Sequence, residues 1–366
     1  MKLITNYIKQ TDRWLLLFCI ITSLTSIILL AALKYSDLIT GKFVFVQALA
    51  TIIGILSAVF VSKIDYHILA KLWKWHTVLA YVLLVSTLFI GISVGGNKAW
   101  IEIPFTKLTI QPSEFLKISF IVTLAWHMSN IKGNINQIHH LIPVLVHGSI
   151  PVLLIHFLQG DDGTAMIFVF IFLIMLFSAG ISWKYIVSGI AALGLFLPIL
   201  WIFVLNNTQK SRIIGLFNPS EYGQTIMFQQ NNVAMSIGSG GIWGRGLFTG
   251  THRNIYAIQS DMIFGFIGEA LGFIGCMVVI LLLFAICCKI LLTAQNARDD
   301  LGKYISIGIF GMIATQVIIN LGMSMSLLPV IGITLPFISY GGTSVLSLYL
   351  SIGVALGVHI GSKKNL

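Results

Sequence analysis

Glu114, Asp261 and Glu269 stand apart from the other acidic residues of this chain because they fall inside, or at the edge of, apolar runs long enough to span a bilayer. An ionisable group at that depth is costly, so each is a candidate functional group whose partner must be named. Glu114 has one in Lys117, one helical turn along the same face. From the residues alone, the two are either an ion pair that fixes helix packing or a direct part of a substrate site. Asp261 follows Ser260 and opens an apolar run. It reads as an acid in the first turn of a Ser-capped helix, where the dipole favours it. The competing reading of the same position is a carboxylate at the outer membrane boundary, able to take a proton from a hydroxyl of a lipid-linked substrate once partial burial raises its pKa. Glu269, two turns deeper, is expected to be a buried support rather than a participant.

Two glycine-rich segments accompany these acids. In Gly238-Ser239-Gly240-Gly241-Ile242-Trp243-Gly244-Arg245-Gly246 the backbone N–H groups could face an anion, or the segment could be re-entrant backbone; no strand precedes it, as a dinucleotide fold would require. Pro336 to Ser344 reads as a Pro break and a tight Gly turn opening the last helix, which either packs closely through small residues or lines a cavity. The four cysteines lie in apolar runs without ligand spacing and are assigned to the core, with no metal. His139 and His140 are expected to be solvated.

The elements that must position these groups follow from composition. The chain of 366 residues is 57% hydrophobic and only 9% charged, with a mean hydropathy of +0.95, whereas a soluble domain carries roughly 25% charged residues. The expectation is an all-α, polytopic transmembrane helix bundle forming one domain over 1–366, with about ten membrane helices. The segments are 14–34, 43–62, 73–94, 112–129, 141–158, 164–180, 184–205, 261–288, 304–328 and 340–361. Long unbroken runs exclude a membrane β-barrel, whose strands alternate over about 10 residues. The first run follows Lys2, Lys9 and Arg13 and exceeds a signal-peptide core in length, so it is expected to remain as a helix. A net charge of +10 would suggest nucleic acid in a soluble chain; here the cations punctuate apolar runs and no nucleic-acid partner is expected. Placing both termini in the cytoplasm puts Lys63, Lys71, Lys74, Lys132, Lys184, Arg298, Lys303, Lys363 and Lys364 inside, leaving Lys34, Lys42, Lys98 and Lys107 in short outer connections. Asp12, Asp65, Asp299 and Asp300 then fall near cytoplasmic ends, and Asp37, Glu102, Asp161, Asp162 and Glu221 in outer connections. The stretch 206–260, between the seventh and eighth helices, is expected to be a large extracytoplasmic loop carrying Arg212, Gln229, Gln230, Arg245 and Arg253, and to be where chemistry occurs.

Several ordered segments resemble the SEDS family (shape, elongation, division and sporulation), the RodA, FtsW and SpoVE membrane proteins of peptidoglycan synthesis. They are Gly96 to Trp100 leading to Gln111-Pro112-Ser113-Glu114-Phe115-Leu116-Lys117; Asp162-Gly163-Thr164-Ala165; Arg212 through Gln229-Gln230 to Gly246; Ser260-Asp261-Met262-Ile263-Phe264 to Glu269 and Gly272-Phe273-Ile274-Gly275; and Pro329 with Gly332, then Pro336 to Ser344. The resemblance covers nearly the whole chain, and the Pro-Phe-Ile-Ser-Tyr-Gly-Gly wording is most similar to RodA. The chain departs from the family where Ala99 stands for Arg before Trp100, where Tyr256-Ala257-Ile258-Gln259 lacks a Pro-Glu, and where Ala270 stands for a second Glu.

The resemblance implies a peptidoglycan glycosyltransferase that polymerises lipid II at the outer face of the cytoplasmic membrane. Asp261 would be the general base on the acceptor 4-hydroxyl, with Glu269 in support. Lys98, Arg212, Arg245 and the Gly-rich loop would face the pyrophosphate leaving group, and Glu114, Lys117, Gln229, Gln230, Ser339 and Tyr340 would complete the substrate site. A divalent cation, Mg or Mn, could assist at the pyrophosphate. The implied partners are lipid II, the membrane and a class B penicillin-binding protein. A lipid II flippase is the alternative from another class. It needs ionisable groups at several depths, whereas the acids here cluster on the outer side. An inactive scaffold for the penicillin-binding protein is a third, raised by the missing Pro-Glu.

Overall fold

The computed structural model describes residues 10–94, 96–104, 106, 108–218, 222, 227–249 and 251–363. Lys2, Lys9, Lys107, Glu221 and Lys364, used above for orientation and charge placement, lie outside the described residues. Helices dominate: α1 Arg13–Tyr35, α2 Gly41–Val61, α3 Tyr66–Lys71, α4 Trp73–Ile90, α5 Pro112–Asn130, α6 Ile138–Leu154, α7 Asp162–Ser178, α8 Trp183–Ile199, α9 Asn207–Phe217, α10 Phe228–Gly240, α11 Ile263–Gln295, α12 Asp300–Ser324 and α13 Gly342–Lys363. A helix falls within each expected apolar segment. Among the described residues, eight of the helices are long and apolar enough to cross a membrane, and α7 is a shorter apolar helix. The ionic residues Glu114 and Lys117 sit in the first turns of α5, most of whose side chains are buried.

Local chemistry explains the ends. Asp12 caps α1 by accepting from the N–H groups of Trp14 and Leu15, each at 3.1 Å. Helix α11 runs past Lys289, whose ammonium reaches Asp12 at 2.8 Å. The all-helical expectation needs one amendment. Gly91–Val94, Asn97–Ile103 and Leu108–Ile110 form a three-stranded antiparallel sheet, β1 to β3, ordered as in the chain. The fourth helix therefore ends at Ile90, and Gly91 is placed where a Cβ would come within 2.1 Å of the Thr87 carbonyl.

Burial is unequal. Helices α12 and α13 are buried along most of their length, whereas α8 buries no residue. Exposed Leu, Ile, Phe and Trp side chains cover the outer helices, among them Phe45, Phe60, Trp75 and Phe89, as expected where the solvent is lipid. The stretch expected as a loop is partly helical: α9 and α10 both fall within it.

Candidate active site

Asp261 does not sit in a helix. Helix α11 starts at Ile263 without a side-chain cap, and the Ser260 hydroxyl donates instead to the Ala257 carbonyl at 3.3 Å. The expected Ser cap is therefore absent, and Asp261 belongs to the turn before the helix. Three successive carbonyls anchor that turn. Gln259 accepts from the Tyr340 N–H at 2.8 Å, Ser260 from the Ser339 hydroxyl at 2.6 Å, and Asp261 from the Asn320 amide at 2.8 Å. Ser339 and Tyr340 thus act on the Asp261 turn by holding its backbone. Gly332, at φ 79°, lies where a Cβ would come within 3.6 Å of Asp261 Oδ2, so the glycine keeps that side of the carboxylate open.

Burial pushes the Asp261 carboxyl up to about 6; the charge of Asp161 acts in the same direction and the Ser260 hydroxyl opposes both. Burial also raises Asp161, against the bonds from Thr164 and the charge of Lys117, while Glu114 raises it further. Asp161 Oδ1 accepts from the Thr164 N–H at 3.0 Å, and Oδ2 accepts from the Thr164 hydroxyl at 2.8 Å and the Gln111 amide at 3.0 Å. Gln111 joins the start of α5 to the start of α7. The expected Glu114–Lys117 pair is present at 2.7 Å, with the Lys117 side chain 0% exposed. Glu114 Oε2 also accepts from Ser347 of α13 at 2.6 Å, so the ammonium is neutralised and the carboxylate satisfied. Glu114, Lys117, Asp161 and Asp261 form one electrostatically connected group.

Other expected residues hold backbone. Arg212 Nη1 donates to the Val330 carbonyl at 2.8 Å, beside the Gly332 segment. Gln230, 1% exposed, donates to Met323 and Leu328 carbonyls at 2.9 and 2.7 Å, and Gln229 donates to the Tyr256 carbonyl at 2.9 Å. Lys98 is on β2, its ammonium donating to the Leu88 carbonyl at 2.7 Å.

The Gly238–Gly246 segment is accounted for differently from an anion nest. Helix α10 runs beside the first turns of α11 in the same direction, Val233 against Gly265 and Ile237 against Gly268. Gly272 has φ 67° and ψ −163° and breaks α11. The groups freed there are taken by the glycine-rich turn. Arg245 and Gly246 N–H donate to the Glu269 and Ala270 carbonyls, each at 2.9 Å, while Phe273 and Ile274 N–H donate to Gly241 and Ile242 carbonyls at 2.9 and 3.2 Å. The Gly244 N–H turns back to Gly240 at 2.8 Å. Those amides are consumed by the helix break. Glu269, 0% exposed, accepts from Ser236 and, at 3.3 Å, from the Arg253 N–H; Arg245 Nη1 lies 3.8 Å away. The Glu269 carboxylate is thus buried and hydrogen-bonded. Arg245 is consequently seated at Glu269, inside α11, rather than at the Asp261 turn before it. Among the described residues no three His, Cys, Asp or Glu side chains converge as a metal cage.

Sequence reasoning assigned no role to Asp161, Gln111 or Asn320. The Asp-x-Gly-Thr wording beside a quoted motif was a signal for Asp161; Asn320 had none beyond being a polar residue in an apolar helix.

The fold is a many-helix membrane bundle, and its candidate site is a half-buried carboxylate held in a turn at one helix start. The sequence profile of the family described as "Cell cycle protein", covering FtsW, RodA and SpoVE, matches residues 10–364, and the chain belongs to that family. It is 34% identical over 326 residues to stage V sporulation protein E of Bacillus subtilis, covering 85% of each chain. It is 30% identical to the probable peptidoglycan glycosyltransferase FtsW of Trichlorobacter lovleyi, over 99% of this chain and 97% of that one. A solved structure described as "Structural coordination of polymerization and crosslinking by a peptidoglycan synthase complex" superposes with a TM-score of 0.81 at 23% identity, over 97% and 99% of the two chains, and shares the fold.

Proposed function

We propose that the protein is a peptidoglycan glycosyltransferase that polymerises lipid II at the outer face of the cytoplasmic membrane, with Asp261 as general base. The observation that carries this is the half-buried Asp261 carboxylate in a turn whose three successive carbonyls are held by Tyr340, Ser339 and Asn320; its surroundings push the carboxyl up to about 6, where a base is ionised at neutral pH yet basic enough to take a proton. The acceptor N-acetylglucosamine 4-hydroxyl gives its proton to Asp261 as its oxygen bonds to the anomeric carbon of the donor N-acetylmuramic acid. The bond from that carbon to undecaprenyl pyrophosphate breaks. Arg212 uses one donor on Val330, and its planar fork has five, so it is the cation best placed to face the pyrophosphate. A magnesium or manganese ion there would take its ligands chiefly from phosphate oxygens and water, and no step above runs through it.

The names of the matched relatives support the activity, and the resemblance to a synthase that couples polymerisation with crosslinking supports a class B penicillin-binding protein as partner. The Lys and Arg distribution supports a cytoplasmic position for both termini. Cysteine labelling should accordingly reach Thr249 from outside and Asn296 only from inside; the reverse pattern would overturn the orientation. The activity is tested with purified protein and labelled lipid II. Glycan polymer is expected from the wild type and is reduced about 10²- to 10⁴-fold in Asp261→Asn. Full polymerisation by that variant would overturn the assignment of the base, and none by the wild type with its partner would overturn the activity.

A further inference from the structure

The turn that carries Asp261 has no helix of its own to hold it, and the bond to its own carbonyl comes from one buried side chain. Asn320, on α12, is 0% exposed. One hydrogen of its amide goes to the Asp261 carbonyl at 2.8 Å and the other to the Ile333 carbonyl at 2.7 Å. Ile333 adjoins Gly332, which faces Asp261 Oδ2, and Val330 of the same segment accepts from Arg212. The amide oxygen of Asn320 has no protein partner, so two donated bonds alone orient the side chain. A single planar group thereby ties the backbone beneath Asp261 to the backbone opposite its carboxylate.

We propose that Asn320 is a positioning residue for the glycosyl transfer, setting the separation between the Asp261 turn and the Gly332 segment and hence where the carboxylate meets the acceptor hydroxyl. This rests on Asp261 being the general base. A base works with its oxygen about 2.6–3.2 Å from the atom whose proton it takes, and displacement by about 1 Å can cost on the order of 100-fold. The chemistry of the side chain suits the task narrowly. Two hydrogens must diverge from one nitrogen toward two carbonyls; Asp offers none in its ionised form, Ser one and Leu none.

A buried double donor also contributes to stability, so the test must separate the two roles. Asn320→Leu removes both donors, and Asn320→Gln keeps the amide but moves it by one methylene. Both are purified, melted in detergent and assayed on lipid II, alone and in the Asp261→Asn background. The expected result for Asn320→Leu is a kcat lower by about 10- to 100-fold, KM within about twofold of wild type, and no further loss when Asp261 is already Asn. Asn320→Gln is expected to lose kcat in the same way while folding normally; it decides the matter if the Leu variant does not fold. Wild-type kcat in a folded Asn320 variant, or an equal loss in both backgrounds, would overturn the proposal. Full activity of Asp261→Asn would bring down the base assignment and this proposal together. An inactive Asp261→Asn beside fully active Asn320 variants would bring down only the role of Asn320.

Discussion

The pH dependence of polymerisation should carry the signature of two neighbouring carboxyls. Asp261 titrates near 6, raised first by burial and second by the charge of Asp161. With such a value it is ionised to about 90% at pH 7 and about 10% at pH 5, whereas an ordinary aspartate near ~3.9 would change by less than about 10% over that range. The kcat/KM of the wild type, which reports the free enzyme, should therefore fall roughly tenfold from pH 7 to pH 5. Asp161→Asn tests the second cause. The amide oxygen can still accept from the Thr164 N–H that Asp161 caps at 3.0 Å, so α7 keeps its start, but the negative charge is gone. Removing a like charge favours the ionised form of Asp261, so its pKa drops and the acid limb moves to lower pH. The assay is initial-rate polymerisation of labelled lipid II from pH 5 to pH 8 for both proteins, read as the ratio of variant to wild type at each pH. That ratio should rise as the pH falls. A wild-type rate that stays flat down to pH 5 would refute the raised carboxyl. An acid limb that moves upward in Asp161→Asn would refute the coupling.

Glu114→Gln leaves the fully buried Lys117 ammonium without its counter-charge, a loss on the order of 3–5 kcal/mol. Its melting temperature in detergent should drop clearly, and adding Lys117→Met should recover much of the loss; an unchanged single variant would show that the pair contributes nothing. In α10, an added Cβ at Gly240 would meet the Gly268 carbonyl at 2.0 Å, whereas at Gly238 it would meet open space. Gly240→Ala should destabilise by about 1–3 kcal/mol or more, and Gly238→Ala should be neutral or stabilising by up to about 1 kcal/mol. Equal melting temperatures for the two would argue against the close α10–α11 packing.

The sequence by itself determined what depends on composition and on local spacing. Apolar runs without charges can only be helices in lipid, since every backbone group must be paired inside the segment, and the long helices appear where those runs lie. Spacing also determined the Glu114–Lys117 pair, because residues three apart on one helix must meet. The sheet at 91–110 escaped notice because strands this short lack a period long enough to separate them from a connection. Tertiary structure alone decided the rest. Asp261 looked like a capped first-turn acid, yet its turn is shaped by Tyr340, Ser339 and Asn320, residues far along the chain. The glycine-rich turn looked ready for an anion until Gly272 broke α11 and left carbonyls that took its amides. Nor does any local feature reveal that Asp161 and Asp261, a hundred positions apart, share an electrostatic field. Hydrogen bonds and charges act through space at a few ångströms, so which groups they join is settled only when the helices that carry them have packed.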